Sequence, residues 1–171
     1  MNERHAPSPS QLAVRPFLRA DAPLLGEIFR ASIEELAAED YTDSQREAWA
    51  AAADDEEAFA ARLEKQLTIL ATIGGSPVGF ASLKGTDRID MLYVHPAVAG
   101  QGVGTMLVGA LEKLATARGA SRLTADVSDS ALDFFRRRGF IAQQRNSVRC
   151  SGEWLANTTM EKKLAAKESA A

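Results

Sequence analysis

Between residues 89 and 119 an apolar strand runs into a glycine-rich turn, and the turn runs straight into an amphipathic helix; few folds accept that order. Ile89, Met91, Leu92 and Val94 mark the strand, and Gly100, Gly102 and Gly104 alternate through the turn. Val103, Leu107, Leu111 and Leu114 then recur at helical spacing, which gives the helix one buried stripe. Arg118 and Gly119 close it, a cation in the last turn and a glycine at the C′ position. Glycines let a backbone approach phosphate closely, and the free N–H groups and dipole of a helix N-terminus favour negative charge. The segment has the physical make-up of a pyrophosphate site.

Two common phosphate motifs do not fit it. A P-loop ends in Gly-Lys-Ser/Thr, and no lysine occurs between Lys84 and Lys113. A dinucleotide-binding turn needs a third Gly or Ala three residues after the second. That position is Leu107 counting from Gly102, and Thr105 counting from Gly100.

The rest of the chain reads as one α/β domain over residues 12–164, long enough at 171 residues for a sizeable core. Residues 12–18 alternate as a strand. Asp21 is placed to cap a helix over 22–37, with Leu25, Ile28, Phe29, Ile33 and Leu36 inward. Thr42 to Gln45 and Asp54 to Glu57 read as capping boxes of two further helices. Residues 67–73 and 78–83 form a hairpin about Gly74 and Gly75, 89–94 and 123–127 are strands, 130–138 is a short helix ended by Gly139, and 140–150 with 154–164 makes a last hairpin. Residues 1–11 read as a flexible tail without the apolar core of a signal peptide, and 165–171 as a frayed end. Cys150 has no second cysteine to pair with, which suits a reducing cytoplasm. No apolar run is long enough to span a membrane, no His/Cys/carboxylate cluster has metal-ligand spacing, and no basic stripe interleaves with aromatics, so membrane, metal and nucleic-acid roles are not expected.

The net charge of −3 hides an asymmetry. Residues 27–64 hold twelve acids and three bases, a balance of −9, and the remainder carries +6. A polyanionic ligand suits the basic part. The acids either draw a cationic substrate or are solvated outer faces of helices.

Leu92-Tyr93-Val94-His95-Pro96 followed by Gly102-Val103-Gly104 resembles the acyl-CoA loop of the GCN5-related N-acetyltransferases, the GNAT family. The element order resembles that family too: a strand, three helices, three strands, a helix, a strand, a helix, two strands. The resemblance thus covers nearly the whole chain. It implies a layered α/β fold with a mixed, mostly antiparallel sheet of about seven strands, splayed at the acyl-CoA site. The implied activity is transfer of an acetyl group from acetyl-CoA directly to a primary amine, with no metal. A small cationic amine is the expected acceptor. A protein lysine or N-terminus is the alternative, and a non-catalytic acyl-CoA-binding module is the rival from another class. Homodimers are frequent in the family, which leaves that assembly open here.

The resemblance also distributes roles. The backbone of Leu92, Tyr93 and Val94 would run beside the pantetheine arm, with an N–H near Leu92 facing the thioester oxygen. Gly100, Gln101, Gly102, Val103, Gly104 and Thr105 would hold the pyrophosphate, and Ser128, Ala131, Phe134 and Phe135 would line the coenzyme. The pattern has three departures. Its Gln/Arg position is Ala99, with Gln101 nearby. Its Asn is Ser128. The Tyr beside the thioester sulfur is Phe135, which has no hydroxyl. The family's glutamate base falls near Arg88. Asp90, two residues on and on the same strand face, is the candidate base, against an alternative in which it is paired with Arg88 or Lys84. Asp126 is a weaker candidate, and a water chain with no dedicated base is a further alternative. Tyr41 is the substitute acid. Tyr41 and Trp49 are candidate walls of the acceptor pocket, through cation–π attraction, and Asn157 a candidate to orient the acceptor. Arg136, Arg137 and Arg138 read as a cationic last turn that complements the helix dipole and is solvated, with contact from one of them to a coenzyme phosphate as the alternative.

Overall fold

Strand β1, Leu12–Pro16, ends two residues earlier than its alternation suggests. The cause is Asp21. Its carboxylate accepts two hydrogen bonds from Arg15 at 2.7 and 2.8 Å and a third from the Leu18 N–H at 2.8 Å, which turns the chain out of the sheet through Arg19–Asp21. Asp21 therefore does not cap the following helix with its side chain; α1, Ala22–Leu36, starts instead with Pro23 in its first turn, where no N–H is needed. Leu25, Ile28, Phe29 and Ile33 are buried as expected, but Leu36 is 42% exposed. The computed structural model describes residues 11–165, so nearly all of the expected N-terminal tail and residues 166–171 lie outside them.

The box at Thr42 forms as read: Thr42 Oγ1 accepts the Gln45 N–H at 3.2 Å and Gln45 Oε1 accepts the Thr42 N–H at 2.9 Å, opening α2, Asp43–Ala50. The next cap is one residue later than read. Ala51–Ala53 winds as a 3-10 turn that ends on Asp54, so Asp55 caps α3, Glu56–Lys65, through the Ala58 N–H at 3.0 Å.

Seven strands lie in the order β1-β2-β3-β4-β5-β7-β6. After β1 they are β2, Leu67–Ile73; β3, Ser76–Lys84; β4, Arg88–Val94; β5, Arg122–Ser128; β6, Ile141–Cys150; and β7, Glu153–Lys163. Each pairing is antiparallel except β4 with β5. Helices α4, Val103–Ala117, and α5, Leu132–Arg137, cover one face. Ile69, Leu83, Ile89, Leu107, Leu111 and Phe135 are among the buried side chains there. Helices α1 and α3 cover the other over Phe29, Phe59, Leu63, Leu70, Phe80 and Met91. Each fully buried Leu or Phe contributes about 1.5–3 kcal/mol.

The parallel pair positions the site. Only Arg88 with Thr124 and Ile89 with Ala125 are in register across β4 and β5. Beyond them the two strands diverge, while β4 stays bonded to β3 through Val94. The sheet opens as a V whose floor is Ile89 and Ala125.

Candidate active site

The V is the mouth of a cleft of about 820 Å³. One wall is the open edge of β4. The His95 N–H, just past the strand, donates to Val78 O at 2.8 Å. Antiparallel alternation then turns Tyr93 and Met91 toward β3, and leaves the N–H and C=O groups of Leu92 and Val94 facing the cleft. An extended amide-bearing chain laid there would pair with them as an added strand does.

At the end of β4 the chain makes a 3-10 turn, Pro96–Val98, and then passes through Gly100 (φ +78°) and Gly102 (φ +85°), left-handed positions that favour glycine. Gly102 is the N-cap of α4 and supplies no side-chain acceptor, so the first N–H groups of the helix are left at the cleft without a cap among the described residues. Gly104 is needed for a different reason: a Cβ there would sit 3.0 Å from two ring carbons of Phe134. The α5 segment thus packs directly against the helix start.

Most of the residues read from sequence as coenzyme-lining come together here. Leu92, Tyr93, Val94, Gly100, Gly102, Val103, Gly104, Thr105, Ser128, Ala131, Phe134 and Phe135 all border the cleft. Gln101 does not. Its N–H is spent on Val98 O, and the left-handed glycines on either side leave its side chain exposed outside the lining.

Asp90 borders the cleft as the extra residue of a β-bulge: Ser82 pairs with Met91 and Leu83 with Ile89, so Asp90 has no partner across the ladder. Its ion-pair partner is neither Arg88 nor Lys84. Oδ2 accepts from Arg62 Nε at 3.0 Å and from Gln66 Nε2 at 2.7 Å, both reaching over from the α3 side, while among the described residues no hydrogen bond reaches Oδ1. Asp126 has both oxygens engaged, one by Arg88 and one by Thr159 Oγ1 at 2.6 Å.

Tyr41 lies apart from the cleft in which both of its expected roles would be played. It is only 5% exposed and does not border the cleft. Its hydroxyl donates to Ala156 O at 2.5 Å and accepts the Asp129 N–H at 2.9 Å. Burial raises its pKa further from neutrality. The group is a tie between the α1–α2 loop, β7 and the start of α5. Asn157 is likewise outside the cleft lining, its Oδ1 taken by Asn146 Nδ2 at 2.9 Å across the last hairpin. Trp49 does border the cleft. Its Nε1–H donates to Tyr93 Oη at 3.2 Å, and its ring meets those of Tyr41 and Tyr93 edge-on. Burial pushes the Tyr93 hydroxyl up to about 12, so it is a neutral donor and not a base at physiological pH.

Sequence reasoning missed several parts. Ser32, Ile33 and Leu36 on α1, with Ala37 just past its end, line another part of the cleft; the helical period marked this face as apolar but gave no sign that it meets a cleft rather than a core. Arg62 and Gln66 carried no signal at all, since they meet Asp90 only through the fold. Arg138, one of three arginines read as solvated or as meeting a coenzyme phosphate, is drawn back against Phe134 and Thr105, contacts that spacing did not show. Among the described residues no group of three or more His, Cys, Asp or Glu side chains is arranged to hold a metal, and no helix is long and apolar enough to cross a membrane.

The Acetyltransferase (GNAT) domain family model matches residues 37–164. The chain belongs to the GNAT acetyltransferase family. It is an acyltransferase that uses acetyl-CoA. An uncharacterized N-acetyltransferase of Escherichia coli K12, YafP, is 33% identical over 154 residues, 90% of this chain and 97% of that protein. The peptidyl-lysine N-acetyltransferase YjaB of Salmonella typhimurium is 28% identical, over 85% of this chain and 84% of its own. Among solved structures, a GCN5-related N-acetyltransferase from Rhodopseudomonas palustris superposes with a TM-score of 0.88 at 63% identity, covering 89% of this chain and 95% of that one. The fold is shared at greater distance by the PaiA N-acetyltransferase of Thermoplasma acidophilum, solved with coenzyme A, at a TM-score of 0.74 and 20% identity over 89% and 98% of the two chains. The expected family and sheet architecture are thus both borne out.

Proposed function

We propose that this GNAT enzyme transfers the acetyl group to a small primary amine that enters between α1, Trp49 and β4 and attacks the thioester directly. The observation that carries the reading is the unpaired edge of Leu92 and Val94 running straight into an uncapped helix N-terminus. The edge holds the pantetheine amides, and the N–H of Leu92 meets the thioester oxygen where negative charge develops. The first N–H groups of α4 hold the pyrophosphate. The neutral amine forms its C–N bond as the C–S bond breaks. The proton released from nitrogen goes to Asp90 through its free Oδ1, directly or through one water. The sulfur leaves as thiolate into surroundings lined by Phe134 and Phe135, with no protein acid; a thiol pKa of about 8.5 makes that departure feasible.

A small acceptor is favoured by the enclosing wall of Ser32, Ile33, Leu36, Ala37 and Trp49. The relative named as a peptidyl-lysine acetyltransferase favours a second reading, in which the same wall takes a lysine side chain. Free-thiol release from acetyl-CoA, measured against polyamines, aminoglycosides, amino acids and lysine peptides, separates them. Saturable turnover with a small amine class is expected. Preference for lysine peptides supports the second reading, and coenzyme binding without turnover on any amine points to a non-catalytic acyl-CoA module.

A further inference from the structure

Of the three consecutive arginines before Gly139, Arg138 is unlike its neighbours. Arg136 and Arg137 are exposed. Arg138 lies flat on the Phe134 ring, its guanidinium carbon 3.6 Å from the ring centroid. Nη1 donates to Phe134 O at 2.8 Å, and Nη2 donates to the hydroxyl of Thr105 in the first turn of α4. Nε is buried with no hydrogen-bond partner among the described residues. The opposing charge that normally accompanies a half-buried guanidinium is missing: no ion pair among the described residues includes it, and the nearby charge it senses is another cation, Arg137. Burial and that neighbour both lower its pKa, so its charge is held at a cost in the free protein. Its place borders the cleft, beside the N–H groups released by the glycine turn. The position where the family's loop carries Gln or Arg is Ala99, exposed and also on the cleft lining.

We propose that Arg138 is a coenzyme-binding residue that delivers to the pyrophosphate, from α5, the side-chain contact that the loop itself lacks at Ala99. Three of its five N–H groups remain after the Phe134 and Thr105 bonds; the two on Nη1 and Nη2 are free to meet a phosphate oxygen. Phe134 sets the plane of the fork, and Gly104 lets that ring sit against the helix start. The counter-charge missing in the free protein is then the ligand's own. The inference rests on the acetyl-CoA reading above.

The test is calorimetric binding of coenzyme A and of dephospho-coenzyme A, which keeps the pyrophosphate and lacks the 3′-phosphate. The proteins are wild type, Arg138→Met, Arg138→Lys and the double variant Arg138→Met/Ala99→Arg. Methionine keeps an apolar stem on Phe134 without the charge. Arg138→Met should weaken both ligands at least ten-fold and by the same factor. Arg138→Lys should lose about three-fold, and the Ala99→Arg change should recover most of the loss in the double variant. The gap between wild type and Arg138→Met should narrow as salt is raised. Equal binding by wild type and Arg138→Met overturns the assignment. A loss confined to coenzyme A moves the contact to the 3′-phosphate and overturns it too. Equal losses in the Met and Lys variants, with a salt-independent gap, make Arg138 only a brace between α4 and α5. Failure of wild type to bind either ligand sinks the underlying acetyl-CoA reading instead, which keeps the two failures apart.

Discussion

A hydroxyl placed in a protein has one proton to give, and at Tyr41 that proton goes to Ala156 O while the oxygen accepts the Asp129 N–H. Tyr41→Phe removes both bonds and strands a backbone N–H and C=O in a buried place. The expected loss is about 1–3 kcal/mol of stability, read as a fall in Tm of roughly 3–10 °C, with kcat changed less than three-fold. A large fall in kcat at unchanged Tm would restore the acid role that the sequence suggested. Asp90 is the opposite case. Asp90 borders the cleft and, among the described residues, its Oδ1 has no hydrogen bond; Asp90→Asn keeps the Oδ2 contacts' shape but cannot take a proton. A drop in kcat of about 10²–10⁴-fold is expected, with coenzyme binding unaffected. A near-normal kcat would assign proton removal to water alone. At Asp21 the charge is structural. The Arg15 guanidinium, against the opposing effect of burial, holds its carboxyl below the usual carboxylate value. A depressed native pKa means that the unfolded chain takes up the proton first as pH falls. The stabilisation is therefore complete above the unfolded value of about 3.9 and is lost as pH drops through the lower native one. Wild type should exceed Asp21→Asn in stability by a constant amount from pH 8 to about 5, and the gap should close in the acid range below. A gap that stays constant to pH 2 would contradict this.

At the scale of elements, close approach of β3 and α4 rests on Gly79. A Cβ there would lie 3.0 Å from Val103 Cγ1 and 3.1 Å from Tyr93 O. One of those atoms is backbone of the cleft wall and the other opens α4, so neither yields without moving the site. Gly79→Ala should cost about 1–3 kcal/mol and weaken coenzyme binding as well. Loss of stability with unchanged affinity would show that the strain is relieved away from the cleft. The same distinction between local and long-range causes explains what was legible in the sequence. The Thr42 to Gln45 box is complete within four residues, and it formed as read. The next box slipped by one because a 3-10 turn of three alanines, invisible to a spacing rule, consumed Asp54. Asp21 has the residue type of a cap, but a better-placed guanidinium, six residues back on a strand, took it. The glycine turn and the β4 edge were legible because their function lies in backbone, and glycine and β-branched positions encode backbone directly. The Asp90 bulge was not legible, since a bulge is a mismatch between two strands. Its Arg62 and Gln66 partners lie 28 and 24 residues away.

For the whole molecule, the charge asymmetry reads differently once folded. None of the acids between residues 27 and 64 borders the cleft; several are held at the outer surface by Arg19, Arg30 and Arg46. The carboxylates that do border it, Asp90 and Asp126, each face an arginine. The lobe therefore acts on an acceptor only as a long-range field, which salt screens beyond about 8–10 Å. The stronger global property is mechanical. The β1–β4 half of the sheet meets the β5–β7 half through two register pairs, the α4 and α5 packing, and ties such as that of Tyr41 to Ala156. A ligand seated along β4 and against α5 spans that seam and adds bonds to both halves. Coenzyme A at a hundred times its Kd stabilises the native state by about 2.7 kcal/mol. For a chain of this size that is a rise in Tm of roughly 5–10 °C. The location of the effect is the sharper test. Amide exchange should slow most at Leu92 and Val94, whose N–H groups meet no strand on the cleft side among the described residues, and next in the first turn of α4. The β1–β2 ladder, far from the seam, should gain only what the global stability gives it. Uniform protection across the chain would mean that the ligand stabilises without using the β4 edge.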